Sequence, residues 1–148
     1  MRYCITGASG LLGGNLAIHL IEAGHDVVAT RRGTSRIEHL GAYPIQWMQA
    51  DLSQAGALGA AFAGCDGVFH CAAVVSIMRK TKPWIVEANV EGTKNVIDAV
   101  KAQGVARLVH CSTVGAVGLS VDGAPCDESA TWNMPDFNLG DAYVTTKR

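Results

Sequence analysis

The chain is 148 residues long and carries 12 Lys+Arg against 13 Asp+Glu, a formal net charge of −1. With 49% hydrophobic and 17% charged residues it holds enough apolar material for the core of one domain, which excludes intrinsic disorder. The near-neutral balance argues against a nucleic-acid partner held by its phosphates, and no apolar run nears the about 20 residues of a membrane span. Residues 1–6 are too short for a signal peptide, and glycines follow at once. Five cysteines are an odd number, and Cys4, Cys71 and Cys111 lie in apolar runs that read as buried strands. That usage fits a reducing compartment, the cytoplasm, better than a disulfide framework. The 17 glycines are spread as punctuation, the habit of an α/β protein with many strand-to-helix turns.

In chain order, residues 2–6 form a first strand ended by Gly7, Gly10, Gly13 and Gly14. Leu12, Leu16, Leu20 and Ala23 repeat at helical spacing up to Gly24, where a helix-ending glycine belongs. A second strand covers 26–30, a basic stretch with one short helix runs to Leu40, and a third strand covers 45–49. A helix over 58–63 ends at Gly64, and a fourth strand covers 67–72. Pro83 suits the first turn of a long helix to about Ala102, with Trp84, Ala88, Val96 and Val100 as apolar positions. A fifth strand follows over 107–111, then a long polar loop and a last helix from near Asp141. The alternation predicts an α/β fold, a doubly wound parallel sheet of five strands, in one domain over 1–148. Cys4–Ile5, Val27–Val28, Val68–Phe69 and Leu108–Val109 are continuously apolar, as strands buried on both faces should be.

The segment Thr6-Gly7-Ala8-Ser9-Gly10-Leu11-Leu12-Gly13 joins the first strand to the first helix. Gly7 permits the tight turn, Gly10 lets a pyrophosphate approach the backbone, and Gly13 lets helix and strand pack closely. The triphosphate-binding alternative lacks its Gly-Lys-Ser/Thr ending, and a hydrolase elbow fails because Leu11 stands where its last glycine would be. This placement resembles the loop of extended short-chain dehydrogenases/reductases, the superfamily of NAD-dependent epimerase/dehydratases and dihydroflavonol-reductase-like enzymes. Gly7, Ser9, Gly10, Leu11, Leu12 and Gly13 are then the expected phosphate-binding residues. Asp51-Leu52 resembles the family's adenine-contacting pair, and His70-Cys71-Ala72-Ala73 its cofactor-lining motif after the fourth strand. Asn89-Val90-Glu91-Gly92-Thr93 resembles the central helix, whose asparagine shapes the site; Cys71, Ala72, Ala73 and Asn89 are accordingly expected at the cofactor.

NAD-binding members of that superfamily carry an acidic residue after the second strand. Here Arg31 and Arg32 occupy the place and Arg36 follows, so NADP is expected, with NAD as the alternative. Tyr143 and Lys147, four apart, share one helical face. A free tyrosine, with pKa about 10, is a poor acid–base catalyst at neutral pH, and a fixed ammonium and an oxidised nicotinamide favour its ionised form. The resemblance implies that Tyr143 exchanges a proton with the substrate oxygen and that Lys147 also holds the cofactor ribose. It further implies a hydroxyl at the end of the fifth strand, and counting back from Gly118 assigns that role to Thr113, with Ser112 as runner-up.

His70-Cys71 and His110-Cys111 do not make a metal site, because adjacent strand residues face opposite ways; small buried cysteines are expected instead. Asp127-Glu128 reads as a solvated loop pair. The family normally continues well beyond Lys147, so a fragment is expected, with an exposed sheet edge that invites self-association as a homodimer. The implied function is carbonyl reduction by hydride transfer on a small-molecule substrate. A nucleotide-sugar epimerase/dehydratase is the alternative within the class, and a non-catalytic dinucleotide-binding fragment the alternative outside it.

Overall fold

The central strand of the sheet is the first one. In the computed structural model, which describes residues 1–76, 80–120, 122–137 and 141–148, the chain opens with β1 (Arg2–Thr6), α1 (Leu11–Glu22), β2 (Asp26–Arg31) and β3 (Ile45–Gln49). It continues through α2 (Ala55–Phe62), β4 (Gly67–His70), α3 (Pro83–Val86), α4 (Gly92–Ala102), β5 (Arg107–His110) and α5 (Ala142–Lys147). The five strands are parallel in the order β3-β2-β1-β4-β5. The chain therefore winds outward from β1 to β3, then returns to β1's other side with β4. The strand order reverses between β1 and β4, and ligands of open α/β sheets bind beyond the carboxyl ends of the strands at such a switch.

By contacts, Met1–Ala73 with Glu91–Cys111 form one compact unit, and Val74–Val90 with Ser112–Arg148 form a second. In the first, strand alternation divides the core into two layers. Cys4, Val28 and Val68 face α2 and α4, where they pack with Leu58, Phe62, Val96 and Val100. Ile5, Val27 and Ala29 point the other way, onto Ala17 and the half-buried Leu16 and Leu20 of α1. Helices on both faces make the sheet doubly wound, as expected. Gly24, at φ +79°, ends α1, and the following His25 N–H returns to Leu20 O at 2.9 Å.

Several expectations need correction. The fifth strand was to be buried on both faces, but among the described residues β5 pairs with β4 alone, at the edge of the sheet, and Val109 is 52% exposed. Only its Leu108 packs onto a core layer. β4 stops at His70, two residues early, and α2 begins at Ala55 rather than Leu58. The helical run expected over 83–102 is there, but a π turn over Glu87–Glu91 separates α3 from α4 within it. Trp84 is 53% exposed; the inward residue of α3 is Ile85, at 0%. Cys71 and Cys111 are half-buried rather than buried. Among the described residues no helix is long and apolar enough to cross a membrane.

The second unit has little regular structure and is held by polar clasps. Asn89 accepts from Val74 N–H at 2.7 Å and donates to Val74 O at 2.9 Å. Asn133 does the same to Leu119, at 2.7 and 3.0 Å. Trp132 donates its indole N–H to Gly115 O at 3.1 Å, and the Arg148 guanidinium lies 4.5 Å from the Trp132 ring centre. The six-residue α5 is too short to persist on propensity alone. Asp141 caps it, accepting from Val144 N–H at 2.8 Å. Asp141→Ala removes that cap at a cost of about 1 kcal/mol, so amide exchange in α5 should quicken about fivefold. Unchanged exchange at Val144 would show that packing, not the cap, sets the helix start.

Candidate functional site

Two of the glycines in the β1–α1 turn are needed by the chain itself. Gly7 has φ +79°, and a Cβ there would stand 2.6 Å from Ala72 N. A Cβ on Gly13 would stand 2.5 Å from Gly7 O. Gly10 differs: a Cβ would meet only Gly7 O, at 3.4 Å, an ordinary contact. Nothing in the packing requires glycine at that position. Gly10 is also the N-cap of α1, with no side-chain cap and no acidic residue in the first turn. The helix thus begins with uncapped N–H groups beside a residue whose missing side chain leaves space, which suits an anionic oxygen. Leu11 and Leu12 are exposed at this start.

The other expected cofactor residues of the first unit follow the carboxyl ends of β2, β3 and β4. Arg31 closes β2, and Arg32 begins a turn in which its N–H donates to Ser35 Oγ at 3.0 Å. Arg32 and Arg36 are exposed. After β3, Asp51 accepts from Ser53 N–H at 3.0 Å and from the Ser53 hydroxyl at 2.9 Å. Those bonds, the backbone one foremost, with Arg32's charge, hold its carboxyl below the usual carboxylate range against the opposing effect of burial. Leu52 O accepts from Asn95 at 2.8 Å. Cys71–Ala73 leave β4 under the glycine turn, with Ala72 N nearest to Gly7.

A buried polar ladder that sequence reasoning missed supports this corner. His70 is 0% exposed, with Nδ1 2.6 Å from Thr6 Oγ1 and Nε2 3.0 Å from Thr93 Oγ1. Thr6 Oγ1 also accepts from Ala72 N–H at 3.4 Å. With that hydroxyl donating to Nδ1, the ring's Nε2–H is the donor to Thr93. The ladder ties the ends of β1 and β4 to α4, and so fixes the turn above them. The His110 ring lies 5.1 Å from that of His70.

The residues expected to do proton chemistry belong to the second unit, and the fold brings their segments together. Tyr143 and Lys147 lie on α5; Tyr143 is half-buried and Lys147 is 6% exposed. Tyr143 N–H donates to Ser76 O at 3.1 Å. The turn after Thr113 packs on α5, since a Cβ on Gly115 would stand 2.7 Å from Val144 Cγ2. Ser112 donates its hydroxyl to Lys147 O at 3.2 Å, which makes it a brace of the helix end. Thr113 Oγ1 accepts from Gly115 N–H at 3.3 Å, leaving its proton to donate elsewhere. Asn89, expected at the cofactor, spends its amide on the chain: besides Val74 it donates to Thr146 Oγ1 at 2.9 Å. Thr146 in turn donates to Ala142 O at 2.7 Å. Thr146 was not foreseen; its only sequence signal is a hydroxyl just before Lys147.

A parallel sheet with a glycine turn at its switch point is the architecture of a dinucleotide-binding domain. The sequence model of the NAD dependent epimerase/dehydratase family matches residues 3–148, and the chain belongs to that family. Cinnamoyl-CoA reductase 1 of Oryza sativa subsp. japonica is 40% identical over 144 residues, covering 90% of this chain and 41% of its own length. Dihydroflavonol 4-reductase of Callistephus chinensis is 33% identical over 144 residues, covering 90% of this chain and 40% of its own. The crystal structure of gox2253 superposes with a TM-score of 0.87 at 32% identity, over 99% of this chain and 44% of that one. UDP-glucose-4-epimerase from Stenotrophomonas maltophila, solved with NAD and formylated UDP-arabinopyranose, gives 0.84 at 25% identity, over 99% of this chain and 45% of that one. The chain thus spans less than half the length of these relatives.

Proposed function

We propose that residues 1–148 are the cofactor-binding part of an NADP-dependent carbonyl reductase of the dihydroflavonol-reductase kind. The observation that carries this reading is Gly10, a glycine the fold does not need, at the uncapped start of α1. Leu11 and Leu12 N–H groups hold the pyrophosphate there. Arg31, Arg32 and Arg36 receive the 2′-phosphate, since no carboxylate lies between 31 and 37 to repel it. Asp51 and Leu52 border the adenine, and Cys71, Ala72 and Ala73 line the dinucleotide. The bound nicotinamide supplies hydride. Tyr143 gives its phenolic proton to the carbonyl oxygen as that becomes an alcohol, Thr113 donates a hydrogen bond to the same oxygen, and Lys147 binds ribose and supplies positive charge beside Tyr143. The five reduced cysteines suit the cytoplasm.

Calorimetry of the chain with NADP and with NAD tests the reading. NADP should bind more tightly, and Arg32→Gln should cost NADP about tenfold while leaving NAD within twofold, the worth of one charge-assisted bond. No binding of either dinucleotide would overturn the proposal. Equal or tighter binding of NAD would favour a second reading, a nucleotide-sugar epimerase/dehydratase. That reading draws on the likeness to an epimerase solved with NAD. Binding without turnover of any ketone or nucleotide-sugar would leave a dinucleotide-binding module.

A further inference from the structure

Three consecutive residues, 131–133, fasten onto the stretch that follows β5, all within the second unit. A Cβ on Gly118 would collide with Thr131 O, so the two backbones touch there. Asn133 holds both backbone groups of Leu119. Those two contacts act five and six residues beyond Thr113. Trp132 reaches further back, and its indole N–H donates to Gly115 O at 3.1 Å. Gly115 is the residue on which Thr113 depends, because its N–H donates to Thr113 Oγ1 at 3.3 Å and so caps the short turn over Val114–Ala116. A glycine is the loosest residue a turn can hold. Here it is stopped on three sides: by Thr113 Oγ1 at its N–H, by Val144 of α5 at its Cα, and by the indole at its carbonyl. Of these only the indole belongs neither to the turn nor to α5. The face of the same ring lies 4.5 Å from the guanidinium of Arg148, the residue after Lys147. Lys147 O in turn takes the Ser112 hydroxyl at 3.2 Å. One half-buried side chain thus meets both the turn that orients Thr113 and the end of the helix that carries Lys147.

We propose that Trp132 is a positioning residue for the proton chemistry, a role that rests on the parts given above to Thr113 and Lys147. Through Gly115 it fixes the side-chain rotamer of Thr113, and through Arg148 it holds the Lys147 end of α5 beside the same turn. A hydroxyl that accepts from a fixed N–H has fewer directions left for its own proton. A group held in advance in this way needs no reorganisation when charge develops on a substrate oxygen. Without the indole bond Gly115 turns, its N–H leaves Thr113 Oγ1, and the threonine samples its other staggered positions. Phenylalanine in place of Trp132 retains an aromatic face for Arg148 but offers no N–H, so the two contacts can be removed one at a time.

Three-bond couplings from the Thr113 methyl carbon to its backbone nitrogen and carbonyl carbon, measured by NMR on the full chain, read that rotamer. The wild-type chain should show one rotamer, and a Trp132 indole proton that exchanges with solvent about tenfold more slowly than that of exposed Trp84. Trp132→Phe should average the Thr113 couplings while the Arg148 side-chain signals keep their ring-current shift. Arg148→Gln should do the reverse, leaving Thr113 fixed and quickening exchange of the last α5 amides about threefold. In reduction of a ketone with NADPH, Trp132→Phe should lower kcat about tenfold and leave the KM for NADPH within about twofold. A side chain that only filled space would leave the Thr113 couplings alone. A single Thr113 rotamer or an unchanged kcat in Trp132→Phe would therefore overturn the proposal. So would averaged couplings or an unprotected indole in the wild-type chain, which decide the matter even where the variant fails to fold. Absence of dinucleotide binding would overturn the reductase reading instead, and it shows in the calorimeter and not in these couplings.

Discussion

Alanine at Gly10 should remove dinucleotide binding from a chain that still folds, whereas alanine at Gly7 or Gly13 should unfold most of it. At Gly7 the penalty has two sources. A left-handed φ costs an alanine about 1–2 kcal/mol. The added carbon would also press on Ala72 N at 2.6 Å, and backbone cannot swing aside, which costs about 1–3 kcal/mol more. Gly13 has no conformational penalty, but its Cβ would sit 2.5 Å from Gly7 O, which is backbone and likewise unable to swing aside. Either loss takes a large share of the about 5–15 kcal/mol that holds a domain together. At Gly10 the protein offers only a contact of 3.4 Å, and exchanging glycine for alanine at an N-cap costs under about 1 kcal/mol, or about 2–4 °C of melting temperature at this size. A phosphate drawn onto the same N–H groups would meet the new methyl, and affinity should fall at least tenfold. Thermal melts by circular dichroism and calorimetric titration of the three variants separate the two effects. Undiminished affinity in Gly10→Ala would mean that the phosphates do not come to this turn.

The parts of the molecule legible in sequence are those made by near neighbours. β1, the glycine turn and α1 are set by residues within a few positions of each other, and Asp141 announces α5 because a cap acts within one turn. What lies beyond reading is pairing at a distance. Thr6 and His70 are both strand-end residues, but only the parallel register of β1 and β4 sets them side by side, and periodicity carries no register between strands. Leu108–Val109 looks like a buried strand because apolar runs do not say which strand of a sheet lies at its edge. Trp84 and Ile85 are adjacent apolar residues in one helical turn, and choosing the inward one requires knowing that α3 packs on α5. The π turn at Glu87–Glu91 has no sequence signal; it lies where Asn89 is turned inward.

Asn89 gives the second large effect, and its size comes from counting partners. At 3% exposure its one carbonyl oxygen accepts from Val74 N–H, and its two N–H bonds go to Val74 O and Thr146 Oγ1. Asn89→Ala takes the partner from Val74 N–H and Val74 O, at about 1–3 kcal/mol for each part-buried group, while Thr146 keeps its bond to Ala142 O, so a loss of about 2–4 kcal/mol is expected. The damage should concentrate in α5, because Thr146 relays the bond to Ala142 O and α5 has few turns to absorb it. Hydrogen exchange of the α5 amides should therefore rise more than that of β1 or β4. Asn89→Asp separates hydrogen bonding from shape. A carboxylate accepts from Val74 N–H but faces Val74 O with no proton to offer, so its folded-state pKa is raised above the unfolded value. The variant must then bind more protons folded than unfolded, and its stability rises as pH falls through that raised value. Urea denaturation at neutral and mildly acidic pH should show Asn89→Asp recovering part of its loss in acid while Asn89→Ala does not. Equal behaviour of the two variants would mean that Asn89 only fills space.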